Sequence, residues 1–123
     1  MRIGLMLLAM LWVAPAHSGW VKYIGRGTHD SYIDLKTIHK AGDLRRGWKL
    51  DDFKQRGPQG ELSRRTLWEL DCKGRRYRAL AGYAYAGQMA QGKTVAQSDT
   101  PEGWTTITSG TLAEQAYRVV CVR

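Results

Sequence analysis

Cys72 and Cys121 are the only two cysteines of this chain, and His17, His29 and His39 are its histidines. These side chains are the ones best able to attack a carbonyl, hold a metal or move a proton. Their spacing argues against all three. Two lone cysteines far apart in the chain do not make the close pairs that zinc and redox chemistry require. The "THD" of residues 28–30 sets an imidazole beside a carboxylate, but Asp30 follows Gly-Arg-Gly-Thr and reads as a turn residue. The acids "DD" (51–52) and "ELD" (69–71) have the types needed for a general acid and base. No phosphate loop or nucleophile elbow accompanies them. The sequence therefore predicts no catalytic residue, no metal site, no cofactor and no enzyme.

The positive signal is charge. Lys and Arg number 19 against 11 Asp and Glu, a formal charge of +8. "RR" recurs at 45–46, 64–65 and 75–76, with Lys49, Lys73 and Arg78 nearby. Such a field attracts anionic partners. The bland alternative is a solvated face that only keeps the protein soluble.

The location of that charge follows from the first residues. "MRIGLMLLAMLWVAPAHSGW" has a positive start, an apolar run from Ile3 to Ala14, and small residues at 14 and 16. This predicts a secretory signal peptide, residues 1–16, cut after Ala16. The run is too short for a spanning helix, which needs about 20 apolar residues. No cysteine follows it, so a lipid-modified N-terminal cysteine is not expected. Removal takes one arginine, so nearly all the positive excess stays with residues 17–123. Outside the cytoplasm the anionic candidates are sulfated glycans, lipopolysaccharide phosphates and acidic protein segments. Nucleic acid, which stacks on aromatic residues beside cations, is disfavoured by export. Export also makes a Cys72–Cys121 disulfide the default state of an even pair.

The elements that must position these groups are mostly strands. Alternation predicts strands at 20–24, 31–38, 44–53, 63–72 and 75–87, with a short sixth near 93–97. "HKAGD" (39–43) and the Gly-Pro segment 54–61 read as connections. Thr111 stands three residues before Glu114 as a capping box, and Leu112, Ala116 and Val119 share one helix face. Cys121 lies about 180° from Leu112 at helical periodicity, so the helix should stop near Val119 and the tail run extended. Several antiparallel strands and one late helix make an α+β domain.

With Lys73-Gly74 as a hairpin turn, Asp71 faces Arg76, Leu70 faces Tyr77, Glu69 faces Arg78 and Trp68 faces Ala79. One face then collects Trp68, Leu70, Cys72, Tyr77 and Ala79. The other pairs two acids with two arginines. Arg65, Arg76 and Arg78 share that polar face, and Arg45 and Lys49 are candidates to join it. Tyr83 and Tyr85, together with Trp20, Trp48, Trp68 and Trp104, are expected mainly in the core.

Trp20, "YID" (32–34), "GWKLDDF" (47–53), Ser63 leading into "ELDC" (69–72), "GWTTITSGT" (103–111) and Cys121 occur in an order that resembles the bacterial surface-adhesin protein E-like family. That family is found among small exported proteins of Gram-negative bacteria. The resemblance implies a twisted antiparallel sheet of about six strands, one C-terminal helix and a disulfide. It also implies a non-enzymatic binding role, with adhesion to host extracellular-matrix proteins as the namesake activity. The chain departs from lipid-anchored members in lacking the acceptor cysteine, so a periplasmic, surface-associated or released protein is expected. The leading expectation is an exported binding module that uses Arg45, Lys49, Arg65, Arg76 and Arg78 against matrix proteins or anionic glycans. A periplasmic envelope protein without a host ligand, and a small secreted hydrolase, are the alternatives.

Overall fold

The computed structural model describes residues 19–25 and 27–122. The expected signal peptide and the first residues after its cut lie outside them. The elements run β1 (Trp20–Gly25), β2 (His29–Asp34), β3 (His39–Ala41), β4 (Leu44–Phe53), β5 (Ser63–Asp71), β6 (Arg76–Tyr85), β7 (Thr94–Ser98), β8 (Thr105–Thr106) and α1 (Leu112–Cys121). All pairings are antiparallel. Six strands form a continuous path, β1-β2-β4-β5-β6-β7, while β3 adds to β4 and β8 adds to β6. The α+β architecture with about six principal strands and one C-terminal helix is therefore the observed one.

Several boundaries differ, each for a local reason. The second strand ends at Asp34 rather than at residue 38. The Asp34 side chain accepts the Lys36 N–H at 3.1 Å and starts a single 3-10 turn, Leu35–Thr37. Residues 39–41, expected as a turn, instead pair with Leu44–Arg46. Gly42 has φ +60, a left-handed conformation that glycine adopts without steric cost, and so confines the turn to two residues. The β5–β6 turn uses four residues rather than two. Asp71 reaches back to accept the Gly74 N–H at 2.8 Å, and a Cβ on Gly74 would stand 2.5 Å from its Oδ2. Outward from that turn the expected register holds, with Asp71 facing Arg76, Leu70 facing Tyr77 and Glu69 facing Arg78.

The core lies between α1 and one face of the sheet. Ile33, Trp68, Leu70, Ile107, Ala116 and Val120 are its buried members. The helix does not stop at Val119: it continues through Cys121, which bonds to Cys72 across a Cα separation of 5.6 Å. The buried stripe is centred on Ala116 and Val120, with Ala113 and Tyr117 beside it, rather than on Leu112 and Val119. About that centre Cys121 sits on the rim of the face, so it reaches the end of β5 without unwinding. The Tyr117 hydroxyl donates to the Cys72 carbonyl at 3.2 Å beside it.

The Thr111 half of the capping box forms as expected, whereas Glu114 reaches past the Thr111 N–H to that of Gly110. The Thr111 hydroxyl accepts the Glu114 N–H, and the Glu114 carboxylate accepts the Gly110 N–H, both at 3.3 Å. Thr111→Ala should lower unfolding free energy by about 1 kcal/mol. A urea titration checks this, and Thr111→Asp should recover most of the loss.

Candidate binding surface

Strand alternation gives the sheet two unlike faces. Residues opposite each other across a ladder point the same way. Ile33, Lys49, Thr66, Trp68, Leu70 and Tyr77 therefore share the face that α1 covers. Arg46, Trp48, Leu50, Arg65, Leu67, Glu69, Arg76 and Arg78 share the other.

On that open face the arginines lie against aromatic rings. The Arg65 guanidinium stands 4.3 Å from the Trp48 ring centroid and 5.5 Å from that of Tyr83. Trp48 and Tyr83 are themselves 6.1 Å apart. Further along the face, Arg76 and Arg78 lie 4.3 and 4.5 Å from the Trp104 centroid. Trp104 is there because β8 pairs Thr105 with Tyr77 and Thr106 with Arg76, which brings the preceding residue level with Arg78. Each such stack contributes roughly 0.5–2 kcal/mol according to its exposure.

Carboxylates organise the same arginines. Glu69 is fully buried and takes Arg46 at 2.7 Å and Arg78 at 2.8 Å on its two oxygens. Asp71 takes Arg76 at 2.9 Å. Arg65 has no ion pair among the described residues. Burial pushes the Glu69 carboxyl up, but the hydrogen bonds and charges of Arg46 and Arg78 outweigh it, and the net pKa lies below the ordinary range. The Gly74 amide, then Arg76, lowers that of Asp71. Tyr83 donates to Asp99 at 2.8 Å, which raises its pKa and keeps the phenol protonated. Acids and rings thus hold the guanidinium planes in fixed orientations, a preorganised surface for planar anions.

Arg65, Arg76 and Arg78 are therefore brought together as expected, but Arg45 and Lys49 are not. Arg45 faces Leu70 and Lys49 faces Thr66, both on the opposite side of the sheet. Each "RR" within a strand sends one arginine to each face, so Arg46, not Arg45, joins the set through its ladder position opposite Glu69. That position was deducible from the opposite charges. Lys49 instead pairs with Asp51 at 3.3 Å. The adjacent acids of "DD" separate in the same way: Asp51 accepts the Ser31 hydroxyl at 2.7 Å, and Asp52 accepts the Met89 N–H at 2.7 Å. The His29 ring meets the edge of Phe53 at 5.9 Å, and its Nδ1 is 3.0 Å from the Thr28 hydroxyl. Tyr83 and Trp48, expected in the core, are half-buried members of the arginine face.

The sequence model of surface-adhesin protein E matches residues 20–122. The chain belongs to the surface-adhesin protein E family. Its fold is also that of Haemophilus influenzae protein E. The selenomethionine form of that protein superposes with a TM-score of 0.70 at 16% identity, covering 89% of this chain and 90% of the other. A second crystal form gives 0.68 at 15% identity, with coverage of 88% and 91%. Protein E from a non-typeable strain gives 0.66 at 15%, with coverage of 89% and 79%. A comparison with curated protein sequences finds no match.

The residues that carried the family resemblance occupy structural positions in this adhesin-family chain. Trp20 opens β1 opposite Asp34, Gly47–Phe53 completes β4, Ser63 opens β5, and the cysteines close the fold. Among the described residues there is no cluster of metal-ligating side chains, and no helix is long and apolar enough to cross a membrane.

Proposed function

We propose that this surface-adhesin family member is an exported, non-enzymatic binding protein that engages host extracellular-matrix proteins or anionic glycans through its arginine–aromatic face. One observation carries the reading: Arg65, Arg76 and Arg78 are stacked on Trp48, Tyr83 and Trp104 on a face that the helix leaves open. Stacking orients each guanidinium, and an oriented planar donor meets sulfate or carboxylate through two parallel hydrogen bonds. Arg76 and Arg46 keep about half of their side-chain surface in solvent, 46% and 55%. Export through residues 1–16, with a mature chain from His17, supplies the compartment in which such ligands occur.

The test is binding of the oxidised, exported protein to heparin-type glycan and to immobilised matrix proteins. Affinity should fall steeply with added salt. Arg65→Ser/Arg76→Ser/Arg78→Ser should weaken it by at least about tenfold, since charged hydrogen bonds contribute roughly 1.5–3 kcal/mol each. Arg45→Ser, on the opposite face, should leave it unchanged. Undiminished binding by the triple variant to every ligand would remove the assignment. Fractionation that finds the protein confined to the periplasm would remove the adhesive role itself.

A further inference from the structure

Helix α1 covers only one end of its face of the sheet. Past Trp68 the same face is open, and a groove of about 470 Å³ runs across it with no residue of α1 in its lining. Two neighbouring rungs of the ladder make the floor. Lys49, Thr66, Gly82 and Ser98 stand side by side on β4, β5, β6 and β7. Asp51, Arg64, Ala84 and Ala96 form the next rung. Gln59 closes one end from the β4–β5 connection. Glu102 forms part of the wall, where its N–H donates to the Ala79 carbonyl at 2.8 Å. The depth comes from the small residues at the centre. A Cβ on Gly82 would meet no atom within 4 Å, so the space above it is open. The volume lies in the range of small-molecule sites, roughly 300–1,000 Å³.

The polar groups of this groove are mixed in kind and balanced in charge. Lys49 and Arg64 are matched by Asp51 and Glu102, so the groove is neutral in a chain of formal charge +8. Lys49 and Asp51 already pair at 3.3 Å, which leaves neither of them seeking an ion. An ammonium has three donors and a carboxylate about four acceptor positions, so the pair keeps capacity for neutral hydroxyls. Thr66 is only 8% exposed, yet its hydroxyl has no hydrogen-bond partner among the described residues. It is not among the buried side-chain atoms sealed from solvent without a partner, so a ligand in the groove can reach it. Gln97 and Thr100 add further groups that both donate and accept. The Tyr77 ring supplies an amphipathic wall toward the helix.

We infer that this groove is a binding site for an uncharged oligosaccharide, with ring hydroxyls on Thr66 and on the Lys49–Asp51 pair and the sugar ring lying over Gly82. A sugar hydroxyl donates and accepts at once and carries no charge, which is what a neutral groove of mixed donors and acceptors requires. An extended peptide adds to a sheet through an open strand edge. Here the floor is a sheet face, and around Gly82 strand β6 is paired on both sides, to β5 and to β7. The groove lies on the face opposite the arginine stacks. It is a separate site from the adhesive one, and the result for either leaves the other untouched.

Lactose, a galactoside, and N,N′-diacetylchitobiose, built from N-acetylglucosamine, are the probes. A sulfated heparin disaccharide is the charged counterpart. Each is titrated into the oxidised mature protein labelled with 15N. The Thr66 and Gly82 amide resonances should shift saturably, in the millimolar range, with at least one neutral disaccharide, and the preferred one identifies the sugar type. The affinity should not change with added salt, unlike that of the arginine face. Thr66→Val keeps the shape, removes the hydroxyl and should weaken binding about fivefold. Gly82→Phe fills the groove and should abolish binding; aromatic residues suit strands, and the Cβ has room. Gly82→Val narrows the same floor if the phenylalanine variant does not fold. Arg65→Ser/Arg76→Ser/Arg78→Ser should bind the sugar as the parent does. The inference is overturned if neither neutral disaccharide moves these resonances, or if Thr66→Val binds as tightly as the parent. It is also overturned if the shift survives in a folded Gly82 variant, or if the sulfated disaccharide occupies the groove more tightly than both neutral ones.

Discussion

Replacing Cys72 and Cys121 together by alanine should cost about 4 kcal/mol of unfolding free energy. The bond joins residues 49 positions apart, and a loop of that length confines the unfolded chain far more than the folded one. A domain of this size has a net stability of only about 5–15 kcal/mol. The double variant should nevertheless fold. Ala116 and Val120 remain packed with Ile107 and Trp68, and Arg75 lies 4.8 Å from the Tyr117 ring centroid. Urea titration followed by tryptophan fluorescence should show a much lower midpoint with the native spectrum retained before the transition. A loss of only a few tenths of a kcal/mol, the scale of an ordinary surface substitution, would mean that the bond adds no constraint to the unfolded chain.

The position of that bond shows what could be read from residue order and what could not. Strand β4, Leu44–Phe53, was legible in full because Gly42-Asp43 and the Gly-Pro segment bound it on either side. The β5–β6 register was legible because Asp71 and Glu69 meet Arg76 and Arg78 only in one alignment. The helix was legible as an element, yet its buried face was not. Leu112 and Ala116 suit two stripes about equally, and contact with Ile107 and Trp68 decides between them. The two residues of β8 carry no pattern of their own; they form a strand because the edge of β6 offers partners beside Arg76 and Tyr77.

The composition of the arginine face turns on a single residue. Trp68 pairs with Ala79, but Leu67 pairs with Ala81, so Leu80 is an extra residue in β6. A bulge of this kind inverts the alternation beyond it. Tyr77 therefore faces the helix while Tyr83, of the same parity, faces Arg65 and Trp48. Simple alternation would place both tyrosines in the core. Nothing in "RALAG" (78–82) marks which residue bulges, since the alanines flanking Leu80 fit either face. The likeness to Haemophilus influenzae protein E is one of fold.

Glu69→Ala should be the most damaging change on that face, at about 3 kcal/mol. The carboxylate is 1% exposed and holds two arginines, so its removal leaves both without the acceptor that orients them. The cost stays at the lower end of the range for broken buried pairs because Arg46 and Arg78 keep 55% and 29% of their side-chain surface in solvent. Replacing all three members, as Arg46→Met/Glu69→Leu/Arg78→Met, should be far less harmful, since no charge is then stranded. The same cluster sets the acid limb of stability. The folded Glu69 pKa lies below its unfolded value, so its contribution is complete above that unfolded value, about 4.3, and is lost as pH falls through the lower folded one. Asp71 acts in the same direction. Urea midpoints measured from neutral pH downward should therefore decline below about pH 4 in the parent. The slope should be shallower, though not flat, in Glu69→Gln. An unchanged slope would place the acid sensitivity elsewhere and deny Glu69 its role as the anchor of Arg46 and Arg78. Arg46 and Arg78 present their charge in a fixed plane because a buried acid holds them from below, so that part of the face and the sheet beneath it depend on one carboxylate.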